Sequence, residues 1–211
     1  MGNSTFQVQP ANNGSTVYTT YINLAHRTDR KQDIESELQR IGITEYHRFD
    51  AIKKAHGSLG CSLSQIAALE QGMASGADHI VILEDDFQFL VSPKEYRELL
   101  AALCHIDYDV MELESQPAWG HLSATTHPLL QRVTKSCNTG GYIVNKKYAA
   151  TLLENYKLGA KLLEVLPQSH FCVDIFKIML EKRDKWFCYY KQAARQRPSY
   201  SDIEHKFRDR P

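Results

Sequence analysis

Apolar positions along the chain fall into two alternating kinds of block. Short runs rich in β-branched and aromatic residues predict strands at 17–24 (VYTTYINL), 45–51 (EYHRFDA), 79–83 (HIVIL), 109–113 (DVMEL), 140–145 (GGYIVN) and 186–191 (WFCYYK). Between them the spacing turns helical. Ile34, Leu38 and Ile41 recur on one helical face, with Thr28 or Asp29 to cap its start and Gly42 to end it. GSLGCSLS opens a second helix that runs to about Ser75, before Gly76. Tyr96, Leu99, Leu100 and Leu103 mark a third, KKYAATLLENYKL a fourth and HFCVDIFKIMLEKR a fifth. Strands alternating with helices predict an α/β domain, a mostly parallel central sheet flanked by helices. In such sheets ligands bind at the carboxyl ends of the strands.

Three stretches escape this periodicity. Residues 1–15 read as a flexible, polar lead-in to a single domain over 16–211. Residues 115–140 read as a long loop or irregular insert of the sort that carries binding residues. The charged tail from Gln192 onward shows no pattern, and its abrupt end allows a domain cut from a longer protein.

Composition narrows the function classes. With 211 residues, 43% hydrophobic, the chain can bury one sizeable core. Its formal net charge of +0 offers no basic field for a nucleic-acid backbone. No apolar run is long enough to span a membrane, and the N-terminus lacks a signal peptide's apolar core. Phe6 stands where a myristoylation signal needs Ser or Thr. The 5 cysteines form no C-x-x-C pair, which argues against zinc and a disulfide framework and for a cytoplasmic setting with each cysteine as a small core residue.

HIVILEDDFQFL, residues 79–90, places Glu84, Asp85 and Asp86 at the tip of an apolar strand. Adjacent carboxylates repel, more so when buried, and a counter-cation relieves them. Hard divalent cations take oxygen ligands, commonly one or two carboxylates plus substrate phosphates. Alternation along an extended chain would turn Glu84 and Asp86 toward a metal and Asp85 away. A solvated acidic turn is the alternative. Neither G-x-G-x-x-G nor G-x-x-x-x-G-K-[ST] occurs, and Gly140-Gly141 and Gly57-x-x-Gly60 are too short for either. A metal-bridged diphosphate helped by arginines remains.

YINLAHRTDR, LGCSLSQIAALE, VILEDD, NTGGYIVNKKYAATLL and FCVDIF, in that order, make the chain resemble glycosyltransferase family 25, the lipopolysaccharide and collagen sugar transferases. Gln65 departs from it, standing where that family usually has histidine, and Glu84 replaces the first Asp of the "DxD" metal motif. The resemblance implies a GT-A fold, a nucleotide-sugar-binding sandwich, in a compact viral (large algal virus) or bacterial member. It implies transfer of a hexose from a UDP-sugar, UDP-glucose or UDP-galactose, to a hydroxyl of a glycan or glycoprotein acceptor, with Mn²⁺ or Mg²⁺. A viral member would work in the host cytoplasm.

On that reading Glu84 and Asp86 hold the metal, with Asp85 behind them. Arg27 and Arg30 either grip phosphate or stand as solvated helix-start arginines. Asp50 either contacts base or ribose or caps a turn. Ser62 and Ser64 either meet an anion at a helix N-terminus or cap that helix. Asp174, beside Phe171, Ile175 and Ile178, is either the general base of an inverting reaction or a solvated helix-start acid. His205 is either a third metal ligand or a solvated tail histidine, and Trp119 and the aromatics near Trp186 either stack on a sugar face or, as such residues more often do, pack in the core. Rival readings are a Mg²⁺-dependent nucleotidyltransferase or phosphatase, and an inactive glycan-binding module on the same fold.

Overall fold

A computed structural model of the chain describes residues 6–10, 14–114, 120–203 and 205–209. In chain order the first half contains β1 (Gln9–Pro10), β2 (Thr16–Asn23), α1 (Thr28–Ile41), β3 (His47–Asp50), α2 (Gly57–Ala74), β4 (His79–Glu84), β5 (Phe87–Phe89) and α3 (Pro93–Leu103). Then come β6 (Val110–Glu112), β7 (His121–Ala124), β8 (Leu130–Lys135), β9 (Gly141–Asn145) and α4 (Ala149–Val165). The C-terminal part contributes α5 (Val173–Phe176), α6 (Ile178–Arg183), β10 (Trp186–Tyr189), β11 (Ala194–Gln196), β12 (Ser199–Ser201) and β13 (Lys206–Arg208).

Among the described residues, 9 strands form one sheet, ordered β1-β2-β4-β9-β6-β10-β8-β7, with β3 also on β2. β3, β2 and β4 run parallel, as do β6 and β10. β9 is threaded antiparallel between β4 and β6, while β1 and β8 are also reversed against their neighbours. Most strands therefore share one direction, and helices cover both faces.

That double cover explains the composition of β4. Val81 and Leu83 pack on the face lined by Ile34 and Leu38 of α1 and Leu99 of α3. Ile80 and Ile82 pack on the opposite face, with Ile66 and Leu69 of α2 and Leu152 of α4. A strand buried on both faces reads as a continuous apolar run rather than an alternation. Each such side chain contributes about 1.5–3 kcal/mol by leaving water.

Local signals fix the helix ends. Gly42 ends α1 at φ 89°, a left-handed conformation that glycine adopts without Cβ strain. Ser92 and Glu95 exchange hydrogen bonds as a capping box at the start of α3, and Pro93 occupies its first turn.

Three sequence expectations need correction. The segment 115–140 is not a simple loop: β7 and β8 pair antiparallel at the sheet edge, while residues 115–119, Trp119 included, lie outside the described residues. The tail builds strands instead of trailing: β11 pairs with β5, and β12 with β13. The fifth helix is broken into a 3₁₀ turn, α5 and α6, with Lys177 at the joint turned inward to Glu112 and Glu181. In the lead-in, Phe6 packs edge-on against Tyr18 and His47, and β1 pairs with β2.

Candidate functional site

The carboxyl ends of β2, β3 and β4 open on a cleft of about 370 Å³. Its floor is the acidic tip of β4, where Glu84, Asp85 and Asp86 all reach the lining. One wall is the loop after β3 (Ala51 to Lys54) with the first turn of α2, whose N-terminal end favours negative charge. The opposite wall comes from Asn138 and Thr139 before β9 and from Asp174 at the start of α5. Gln196, Arg197 and the β12–β13 hairpin close the top.

Each acid has its own environment. Glu84 Oε1 accepts hydrogen bonds from Gln65 Nε2 at 3.3 Å and Thr139 Oγ1 at 3.3 Å. Burial, then the charges of Asp86 and Asp85, push its pKa up to about 7, against the pull of Arg30 and the Thr139 hydrogen bond. Asp85 accepts from Asn23 Nδ2 at 2.8 Å and from Arg30 at 2.8 Å. Asp86 lies 3.2 Å from the same Arg30 guanidinium. Burial opposes the charge on Arg30, but Asp86 and Asp85 outweigh it and raise its pKa. Arg30 also donates to Ser199 Oγ and to the Tyr200 carbonyl, so one side chain ties the acids to the hairpin.

The expected binding residues separate into two groups. Arg30, Ser64, Glu84, Asp85, Asp86 and Asp174 line the cleft together. Arg27 stands outside it, gripping Asp29, Asp202 and the Tyr200 carbonyl, and so clamps the hairpin. Asp50 turns to solvent and pairs with Arg48 at 2.6 Å, because the cleft wall begins one residue later at Ala51. Ser62 is fully buried and donates to the Ser58 carbonyl within α2. Ser64 donates to the Gly60 carbonyl and accepts from Ile52 N–H, so its hydroxyl secures the wall rather than an anion. His205 is exposed in the β12–β13 turn, apart from the cleft lining. Of the free cysteines only Cys188 is a buried core residue; Cys61, Cys137 and Cys172 line the cleft.

Several lining residues were not assigned a role from the sequence. Gln65 is fully buried and links Glu84, the Thr139 carbonyl and the Tyr142 hydroxyl, which donates to it at 2.7 Å. Gln196 and Arg197 arrive only because β11 pairs with β5, directly after the acids. Gly140-Gly141 serves packing and not phosphate: a Cβ on Gly141 would fall 2.1 Å from Phe87 Cε2, and one on Gly140 1.9 Å from Glu114 Oε2.

Among the described residues, no group of 3 or more His, Cys, Asp or Glu side chains is arranged to hold a metal ion unaided. Glu84 and Asp86 nevertheless supply an oxygen-only donor pair, the set a hard cation uses when phosphate oxygens complete its shell. Among the described residues, no helix is long and apolar enough to cross a membrane.

No protein-family model and no curated protein sequence matches the chain. Solved structures do resemble it. A glycosyltransferase involved in the glycosylation of the major capsid of PBCV-1 superposes with TM-score 0.50 at 14% identity, covering 82% of this chain and 80% of that one. A mannose-1-phosphate geranyltransferase from Thermus thermophilus gives TM-score 0.46 at 11% identity, covering 82% of this chain and 73% of that one. The resemblance to family 25 is thus not supported at family level, and what stands is the architecture. The chain has a GT-A-like α/β fold, with its acidic strand tip lining the cleft.

Proposed function

We propose that the chain is a glycosyltransferase that takes a hexose from a UDP-sugar and passes it to a hydroxyl of a glycan or glycoprotein acceptor. The observation that carries this reading is the convergence in one cleft of the acids at the tip of β4, Arg30, Arg197 and Asp174. A GT-A-like fold with such a strand tip is compatible with a diphosphate donor.

Glu84 and Asp86 would hold Mn²⁺ or Mg²⁺ through their carboxylates, together with donor phosphates. When bound, the cation supplies Lewis-acid stabilisation of the charge that grows on the departing diphosphate. Arg30 and Arg197 border the same space and share that electrostatic task. Asp85, held by Asn23 and Arg30, keeps the guanidinium in place. The N-terminal turn of α2 adds a positive end to the wall, and the apolar Ile22, Leu24 and Ile52 offer a surface for the base. Asp174 faces this space from α5 and accepts the acceptor's proton in an inverting transfer.

A thermal melt tests the reading with UDP, with UDP plus Mn²⁺, and with UDP plus EDTA. Ligand at about 100-fold its Kd adds about 2.7 kcal/mol. A chain of this size should then melt roughly 5–10 °C higher. The rise is expected only with both UDP and Mn²⁺, and it should vanish in Asp86→Ala. No rise with UDP in any condition overturns the UDP-sugar reading.

A further inference from the structure

A second cavity, of about 550 Å³, lies on the far side of the partition made by Arg30 and its two aspartates. The proposed transfer does not use it. Its outer wall is the β12–β13 hairpin, in which Tyr200 and Phe207 are cross-strand partners. Partners in register project to the same face, so the two rings form one platform. Both are largely bare, at 48% and 66% exposure, which is unusual for adjacent aromatics with a cavity beside them. The platform is also held still. Arg27 and Arg30 both donate to the Tyr200 carbonyl at 3.0 Å, and Arg27 pairs with Asp202 at 2.7 Å.

The same cavity is lined by planar polar groups with unused capacity. Arg195 spends its Nε on Gln88 Oε1 at 3.0 Å, while its two terminal NH₂ groups reach no partner among the described residues. Asp33, on α1, makes no hydrogen bond or ion pair among the described residues. Charge settles the class of ligand. The lining holds four arginines (27, 30, 195 and 197) and four aspartates (29, 33, 85 and 86), so it presents no net charge. An anion gains nothing from such a site. A neutral molecule with one C–H face and a rim of hydroxyls gains twice. Its C–H face covers the electron-rich aromatic faces, and vicinal hydroxyls meet a carboxylate and a guanidinium in paired hydrogen bonds.

We propose that this second cavity is a binding site for a neutral saccharide, seated on Tyr200 and Phe207 and hydrogen-bonded by Asp33, Gln88 and Arg195. It shares Arg30, Asp85, Asp86 and Arg197 with the donor cleft as a common partition, but Tyr200, Phe207, Asp33, Gln88 and Arg195, which hold the saccharide, lie outside that cleft's lining, so the site stands whether or not the cleft takes a nucleotide. A rigid platform suits it, because little ordering is needed on binding.

Saturation-transfer NMR on the full chain tests this with cellobiose, maltose and lactose as probes and glucuronate as the anionic control. Ring C–H protons of at least one neutral disaccharide should receive saturation, and excess UDP should not displace it. Tyr200→Ala and Phe207→Ala should each weaken binding about fivefold, the scale of one lost aromatic contact. Asp33→Ala, an exposed substitution that leaves the hairpin intact, should weaken it as well. A melt of each variant with UDP and Mn²⁺ reads the first cleft separately, so failure of the donor reading and failure of this one are told apart. The proposal is overturned if none of the three disaccharides binds, if glucuronate binds better than they do, if UDP displaces them, or if all three variants bind as the parent chain does.

Discussion

Two clusters of carboxylates flank strand β9, and they solve the same electrostatic problem in opposite ways. Glu112, at the end of β6, is 1% exposed and meets Glu181, itself fully buried, around the ammonium of Lys177. Ser136 supplies a hydroxyl and a backbone N–H to the same group. Burial raises the Glu112 pKa, with Lys177 working against it. Burial also opposes the charge on Lys177, but the two glutamates outweigh it and raise its pKa. Glu84, Asp85 and Asp86, at the end of β4, gather beside the guanidinium of Arg30, which pairs with both aspartates, and have an open cleft in front. The sealed cluster carries its own cation on the chain and is structural. The open one crowds three adjacent carboxylates around the Arg30 guanidinium and leaves room for a mobile partner. Burying charges without a partner is costly, so an under-compensated cluster belongs where a ligand can reach it.

The largest break in this comparison is Lys177→Met. It leaves two glutamates sealed without a cation and should cost about 3–5 kcal/mol in urea unfolding at pH 7. The loss should shrink as the pH falls, because a proton can replace the missing charge on the glutamates.

Glu84→Gln should act in the opposite direction. The folded pKa of Glu84 is raised from 4.5 to about 7, so its stabilising contribution is full below pH 4.5 and is lost as the pH rises through 7. At pH 8, without divalent cations, the glutamine variant should therefore be more stable than the parent by about 3 kcal/mol. Paired unfolding curves at pH 5 and pH 8 check this, and the gap should narrow at the lower pH.

Gln65→Leu sharpens the picture at a smaller scale. It removes the bridge between Glu84 and the Tyr142 hydroxyl and leaves that buried hydroxyl without its acceptor. The expected cost is about 1–2 kcal/mol in the same assay. The smallest effect belongs to a pair outside both clusters. Lys157 and Glu70 meet at 2.6 Å with side chains about half exposed, and Lys157→Ala should shift stability by less than about 0.5 kcal/mol.

Different parts of the site were legible to different degrees. The acids were visible because β4 is covered on both faces: four apolar residues in a row followed by three acids is a local pattern. Arg30 was visible as a basic residue just after a strand. Gln65 was noticed only as a departure from a family pattern, since its three hydrogen-bond partners lie 19, 74 and 77 residues away. Asp50, Ser62 and His205 lie off the cleft lining for related reasons. Their residue types suit binding, but direction of projection decides what they reach, and a strand end, a helix interior and a hairpin turn point these side chains away from the cleft.

The sequence by itself determined the alternation of strands and helices, the helix ends at Gly42 and Ser92, and the acidic tip of β4. Each rests on interactions within a few residues: apolar periodicity, a left-handed glycine, a capping box. The tertiary structure alone decided the rest. It broke the helix at Lys177, folded the charged tail over the cleft through the β5–β11 pairing, and tied the hairpin to the acids through Arg30. Strands of three residues with one apolar side chain each have too little local preference to declare themselves. Their pairing becomes favourable only when a distant edge, here β5, is already in place.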